Sequence, residues 1–221
     1  MLGAKDGELL VRAARKIVTA IAAEGRIARD SQRLDAAASR HLQKTAGEKL
    51  SVPRGVFVTI KRHSDGELRG CIGFIHPTPL WDAMQRAAAA AAFGDFRFAP
   101  LSADELGDVA FEVSVMTEPV LIEGGRGEWK KKIKIGRDGL IIFNGGYSGL
   151  LLPQVPTEQG WGVQEFLDNI CYKAGLATDA LYDSGTKLMK FECQVFAESE
   201  PCGKVVEVVP AAAAKRRKAA K

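Results

Sequence analysis

Val56-Phe57-Val58-Thr59-Ile60-Lys61, Ser64-Asp65-Gly66 and Leu68-Arg69-Gly70-Cys71-Ile72-Gly73 follow one another in the chain. Two β-branched and apolar runs around an Asp-Gly turn signal describe a β-hairpin. Its register can be argued from side-chain chemistry. A three-residue loop with Gly66 in the left-handed conformation places Thr59 beside Cys71 and Lys61 beside Arg69. It keeps Val56, Val58 and Ile60 on one face with Leu68 and Ile72. A two-residue loop breaks that apolar face, and register follows the face that is buried. Strand alternation then puts Arg69, Cys71 and Gly73 together on the opposite face.

Outward from this hairpin, Leu9, Leu10, Ala13, Ile17 and Ile21 recur at helical spacing behind a capping Asp6. A second, weaker helix is expected within residues 31–46. Pro77 and Pro79 introduce an alanine-rich helix over residues 80–92, suited to close packing on a sheet. Ser102-Ala103-Asp104-Glu105 is a capping-box pattern. Phe111, Val113 and Val115 alternate with Glu112 and Ser114, so a strand there adds a polar face to that of Arg69 and Cys71. The run Lys130 to Lys134 reads as a solvated strand edge, and Leu140 to Phe143 as a buried strand. Gly145 to Gly149 reads as a flexible loop without the Lys-Ser ending of a phosphate loop, and Leu150-Leu151-Leu152-Pro153 as core. A helix from Val163 ends at Gly175. Residues 191–197 alternate as one strand, and a short last strand follows from Val205 to Val209. Strands without regular βαβ alternation predict a mixed, largely antiparallel α+β fold flanked by helices.

The 221 residues suffice for one large unit with a core, and 46% hydrophobic with 26% charged residues is ordinary for a globular chain. No apolar run reaches the ~20 residues of a membrane span, and the first residues lack the pattern of a secretory leader. Cys71, Cys171, Cys193 and Cys202 form no Cys-x-x-Cys pair, which predicts reduced thiols and a cytoplasmic protein. The net charge of +4 arises in the tail, where Lys215, Arg216, Arg217, Lys218 and Lys221 outweigh it; the remainder is close to neutral. Nucleic acid is therefore expected only through that tail, and no membrane partner is expected. His41, His63 and His76 are scattered without metal-ligand spacing, so neither a metal nor a cofactor is expected.

Several blocks in order resemble the AMMECR domain family. The family is named for a chromosomal region linked to Alport syndrome, midface hypoplasia and elliptocytosis. The blocks are Gly55 to Thr59, Leu68 to Gly73, Asp95-Phe96-Arg97-Phe98, Glu112 to Val115, Gly149 to Pro156, Gly160-Trp161, Glu165 to Leu167, Cys171 to Leu176 and Phe191 to Glu198. The chain is similar to archaeal-type members over residues 8–200. It departs from the family's usual Asp-Pro-Arg-Phe run by carrying Phe96 where proline is usual. The resemblance implies one α+β domain over residues 1–205, with a larger and a smaller lobe and a groove lined by the Arg69–Cys71 segment; residues 206–221 form a basic tail. It implies no reaction. Members are sometimes encoded beside or fused to MEMO-type proteins and near radical SAM proteins, which implies a shared pathway.

Two chemistries fit the face that carries Arg69 and Cys71. In the first, Arg69 and Arg97 clamp a small anionic ligand or a partner peptide with their planar forks. Gly70 and Gly73 then offer open backbone, and Thr59 and Ser114 donate hydrogen bonds. In the second, Cys71 is a nucleophile or covalent carrier, with Arg69 lowering its pKa and His76 or Glu112 as base. Each arginine also has an internal carboxylate in view, Glu112 for Arg69 and Asp95 for Arg97.

Overall fold

The structure, a computed structural model, describes residues 1–23 and 50–208. The helix expected within residues 31–46, His41 and the basic tail from 209 onward lie outside the described residues. So do the side chains of His76 and Pro77. The described chain divides into two compact units: Met1–Val115 with Gln194–Val208, and the stretch from Met116 to Cys193.

The first unit is a five-stranded sheet in the order β2-β1-β3-β8-β9. Its strands are β1 (Pro53–Arg62), β2 (Leu68–Pro79), β3 (Val109–Met116), β8 (Cys193–Glu198) and β9 (Val205–Val208). β1 pairs antiparallel with both β2 and β3, and β8 with β9. Val56, Val58, Ile60, Phe111, Val113 and Val115 form the apolar face expected of them. They are buried with α1 (Ala4–Ala23) and α2 (Leu80–Phe93). Asp6 lies in the first turn of α1, where its carboxylate accepts the Gly3 N–H at 2.8 Å. Glycine sets the closest approaches of helix to sheet. A Cβ on Gly7 would lie 2.1 Å from the Phe196 ring, and one on Gly70 would lie 2.1 Å from the Ala91 carbonyl oxygen of α2.

Thr59 lies opposite Cys71, and Gly66 takes a φ of 76°, as the hairpin argument requires. Lys61, however, faces Leu68 and not Arg69, because a bulge between Ile60 and Lys61 sets two residues of β2 against one of β1. A buried ion pair ties α1 to the sheet. Arg15 donates from Nε and Nη2 to the two Glu198 carboxylate oxygens at 2.7 and 2.6 Å, and Glu198 also accepts the Phe111 N–H at 3.0 Å.

The second unit has a four-stranded sheet in the order β4-β7-β5-β6. Its strands are β4 (Val120–Leu121), β5 (Gly139–Asn144), β6 (Tyr147–Leu151) and β7 (Lys187–Phe191). Leu140, Ile142 and Leu188 pack on Phe166, Leu167 and Ile170 of α5 (Val163–Lys173). A short helix α4 (Gln154–Glu158) precedes α5, and Gly175 with a φ of 73° follows it.

Four expectations are corrected here. Lys130 to Lys132 lie in a helix, α3 (Arg126–Lys132), not a strand edge. Trp129 is buried there and donates to the Ile122 carbonyl, while the lysines fall in the last turn, where cations favour the helix dipole. Gly145 and Gly146 form the tight turn between paired Asn144 and Tyr147, with Ser148 and Gly149 in β6, so the flexible loop is a hairpin. Residues 191–197 break at Glu192 into β7 of one sheet and β8 of the other. β9 runs to Val208, so residues 206–208 are strand and not tail. No helix among the described residues is long and apolar enough to cross a membrane.

Candidate functional site

The site is built on the outer edge of β2. α2 ends at Gly94, whose N–H caps Ala90, and the chain turns back along the strand. Asp95, only 4% exposed, accepts the Cys71 amide N–H at 2.9 Å. Arg97 donates from Nε and Nη2 to the Asp95 carboxylate at 2.9 and 2.6 Å, and from Nη2 to the Cys71 carbonyl at 3.3 Å. The two side chains thus satisfy both outward main-chain groups of Cys71, as a neighbouring strand would. The Arg97 guanidinium holds the Asp95 carboxyl down at about 2.

Arg69 is 8% exposed and is held by Glu105. Nε donates to Oε1 at 2.6 Å and Nη2 to Oε2 at 3.1 Å, with a longer reach of 3.5 Å to the Pro100 carbonyl. Glu105 also accepts the N–H and hydroxyl of Ser102 at 2.9 and 3.1 Å, so the predicted capping box is present and shared with the arginine. The Arg69 guanidinium brings Glu105 down to about 2. Both guanidinium groups lie near the Phe98 ring, at 5.9 Å for Arg69 and 5.4 Å for Arg97. Nη1 of Arg69 is buried and has no hydrogen-bond partner among the described residues.

Thr59, Cys71 and Glu112 form a row across three strands on one face. The Thr59 hydroxyl donates to Cys71 Sγ at 3.3 Å, and Glu112 pairs with Lys61 at 3.7 Å. Burial pushes the Cys71 thiol above its ordinary value. The Thr59 hydrogen bond and the Arg97 charge pull the other way, while Glu112 and Asp95 add to the rise. The expected activation of Cys71 by Arg69 is therefore corrected: the nearby cation is Arg97, and burial outweighs it. Arg69 bonded to Glu112 is corrected to Arg69 bonded to Glu105, because the bulge carries the side chain toward the 3-10 turn at Ala103–Asp108. Arg97 bonded to Asp95 is as read.

Gly70 and Gly73 are not open backbone above the sheet. The Ala91 carbonyl fills the space over Gly70, and a Cβ on Gly73 would lie 2.2 Å from the Phe57 ring. Ser114, in the same cross-strand row as Phe57 and Gly73, is fully buried. His76 belongs by its backbone to β2. His63 is exposed at the far end of the hairpin, its N–H on the Asp108 carbonyl. Among the described residues, no group of three or more His, Cys, Asp or Glu side chains can hold a metal ion. No disulfide joins the four cysteines.

Sequence reasoning missed Asp95 as the cap of Cys71 and Glu105 as the partner of Arg69. Both were in view, one in the Asp95–Phe98 block and one in the capping box, but their second partners are distant in sequence.

Comparison with known proteins agrees in extent with this architecture. The family model AMMECR1 matches residues 11–196. Protein MJ0810 of Methanocaldococcus jannaschii is 49% identical over 162 residues, covering 72% of this chain and 81% of that one. A protein of Thermococcus onnurineus is 45% identical over 203 residues, covering 90% and 93%. The crystal structure of uncharacterized protein PH0010 from Pyrococcus horikoshii superposes with a TM-score of 0.82 at 40% identity, covering 94% of this chain and 98% of that one.

Proposed function

The chain belongs to the AMMECR1 family, and we propose that it acts as a binding protein. Its ligand presents an oxygen acceptor to the Arg69–Gly70–Cys71 strand and to Arg97: the carboxylate of a small anion or the carbonyl of a partner peptide. The observation that carries this reading is Nη1 of Arg69, a buried cationic donor without a partner among the described residues. A buried polar group left unmade is costly, and a ligand oxygen offsets that cost on binding. Glu105 and Asp95 hold the two guanidinium groups in place before the ligand arrives.

The second reading is an enzyme with Cys71 as nucleophile or covalent carrier, in a pathway with MEMO-type and radical SAM proteins. The hydrogen bond from Thr59 to Sγ and the proximity of Arg97 favour it. The raised thiol opposes it, since the thiolate is the reactive form.

Iodoacetamide labelling of Cys71 against pH, resolved by mass spectrometry, separates the two. Binding alone predicts slow labelling with a midpoint above the thiol's reference value of 9.0. Rapid labelling at neutral pH, with a midpoint below ~8.5, would establish the enzyme instead. NMR titration of the full chain with citrate and with inorganic phosphate then tests the acceptor site. Perturbations at Arg69 and Cys71 that disappear in Arg69→Gln support it.

A further inference from the structure

We propose that the outer edge of β2 receives an extended, uncharged peptide segment of a partner protein as an additional strand. Pairing starts at Gly73, just past the clamped Cys71, and Phe96 is the apolar anchor. The inference rests on the binding reading above and names the class of partner.

Among the described residues β2 is the terminal strand of its sheet. Asp95 and Arg97 reach Cys71 from the side away from β1, so the main-chain groups of Cys71 point outward. Register is continuous from Thr59 opposite Cys71 to Phe57 opposite Gly73. Two-residue alternation therefore turns the N–H and C=O of Gly73 outward as well. Among the described residues no turn or loop backbone group bonds either one. Native sheets usually blunt such an edge; here the Asp95–Arg97 clamp covers Cys71 and stops there.

Phe96 is held between the two clamping residues and is 95% exposed. Its neighbours on both sides are fixed while its own side chain stands in solvent, and an aromatic of this kind contributes strongly to binding when a partner covers it. Ile75, next but one after Gly73 on the strand, is 38% exposed and extends the apolar character along the same edge. Charge decides the chemistry of the occupant. Arg97 is matched by Asp95 and Arg69 by Glu105, so the edge is locally neutral and favours neither a polyanion nor an acidic tail. An open main-chain donor and acceptor beside an aromatic selects a strand with apolar side chains.

The test is selection of a random linear heptapeptide library displayed on phage, against the full chain and against its Phe96→Ser variant, which changes only an exposed side chain. The expected result is enrichment of uncharged sequences rich in β-branched or aromatic residues, with at least tenfold lower recovery on Phe96→Ser. The synthesised winner should slow hydrogen exchange at the Gly73 amide. No enrichment, enrichment of acidic sequences, or recovery indifferent to Phe96 overturns the inference. So does concentration-dependent protection of Gly73 without peptide, which would make a second copy the occupant. If citrate or phosphate perturbs Arg69 while no peptide is enriched, the acceptor site stands and the strand proposal fails. If neither binds, both fall.

Discussion

The Asp95 carboxylate lies 2.9 Å from the amide nitrogen of Cys71, 24 residues earlier in the chain, and stands where the carbonyl of a further strand would stand. An edge strand and the loop after α2 are thereby locked together by an acidic side chain.

That lock is sensitive to acid. The Asp95 carboxyl, held at about 2 in the folded protein and near 3.8 when unfolded, contributes stability above the unfolded value and loses it as pH falls through about 2. The contribution is about 1–2 kcal/mol after allowing for the exposed side of Arg97. Urea denaturation followed by tryptophan fluorescence should show Asp95→Asn weaker than the parent by that amount at pH 7, with the difference closing near pH 2. A difference that persists at pH 2 would mean that Asp95 acts through packing alone.

Gly70 and Gly73 should differ in their tolerance of alanine. At Gly70 the added methyl meets a helix carbonyl, which cannot move without shifting α2; at Gly73 it meets Cδ1 and Cγ of the half-buried Phe57, which yield if that side chain changes rotamer. Gly70→Ala is expected to cost about 3 kcal/mol or more, and Gly73→Ala about 1–2 kcal/mol. Thermal melts of both variants check this, and equal losses would show that Phe57 is as immovable as the helix backbone.

Removing one partner of the buried pair between Arg15 and Glu198 strands a charge in the interior. Glu198→Gln should destabilise the chain by about 3–5 kcal/mol, and the double change Arg15→Met with Glu198→Leu should recover most of it. Guanidinium denaturation of the three proteins measures both. A double variant no better than the single one would mean that the hydrogen bonds from Arg15 to the Leu106 and Val109 carbonyls carry the stability.

The hairpin was legible because Val56, Val58, Ile60 and Ile72 leave only one register with a continuous apolar face. The same reasoning found β3 and the face of α2. It failed where a feature depends on one residue of spacing or on distant contact. The bulge between Ile60 and Lys61 sets Leu68 opposite Lys61 and off the face of Ile60 and Ile72, and Arg69 beside it bonds Glu105 and not Glu112. The alternation across residues 191–197 is equally good for one strand or for two strands in different sheets, and nothing at Glu192 announces the break. The arginines were found because a partly buried guanidinium needs a carboxylate; Arg97 has the neighbouring Asp95, whereas the partner of Arg69 was set by tertiary packing.

Glu192 has a consequence for how the molecule assembles. The Thr117 N–H bonds the Glu192 carbonyl at 2.8 Å, and the Glu192 N–H bonds the Thr117 hydroxyl at 2.9 Å. The second unit thus begins and ends at one point, between strands β3 and β8 that are neighbours in the first sheet. Until that unit folds, joining β3 to β8 means closing the long loop between them at an entropic cost. Once it folds, its two ends are already together. Autonomous folding of the inserted unit would therefore speed completion of the first sheet, and variants that slow the insert would delay β8 while leaving the β1–β2 hairpin, whose contacts are local, free to form early.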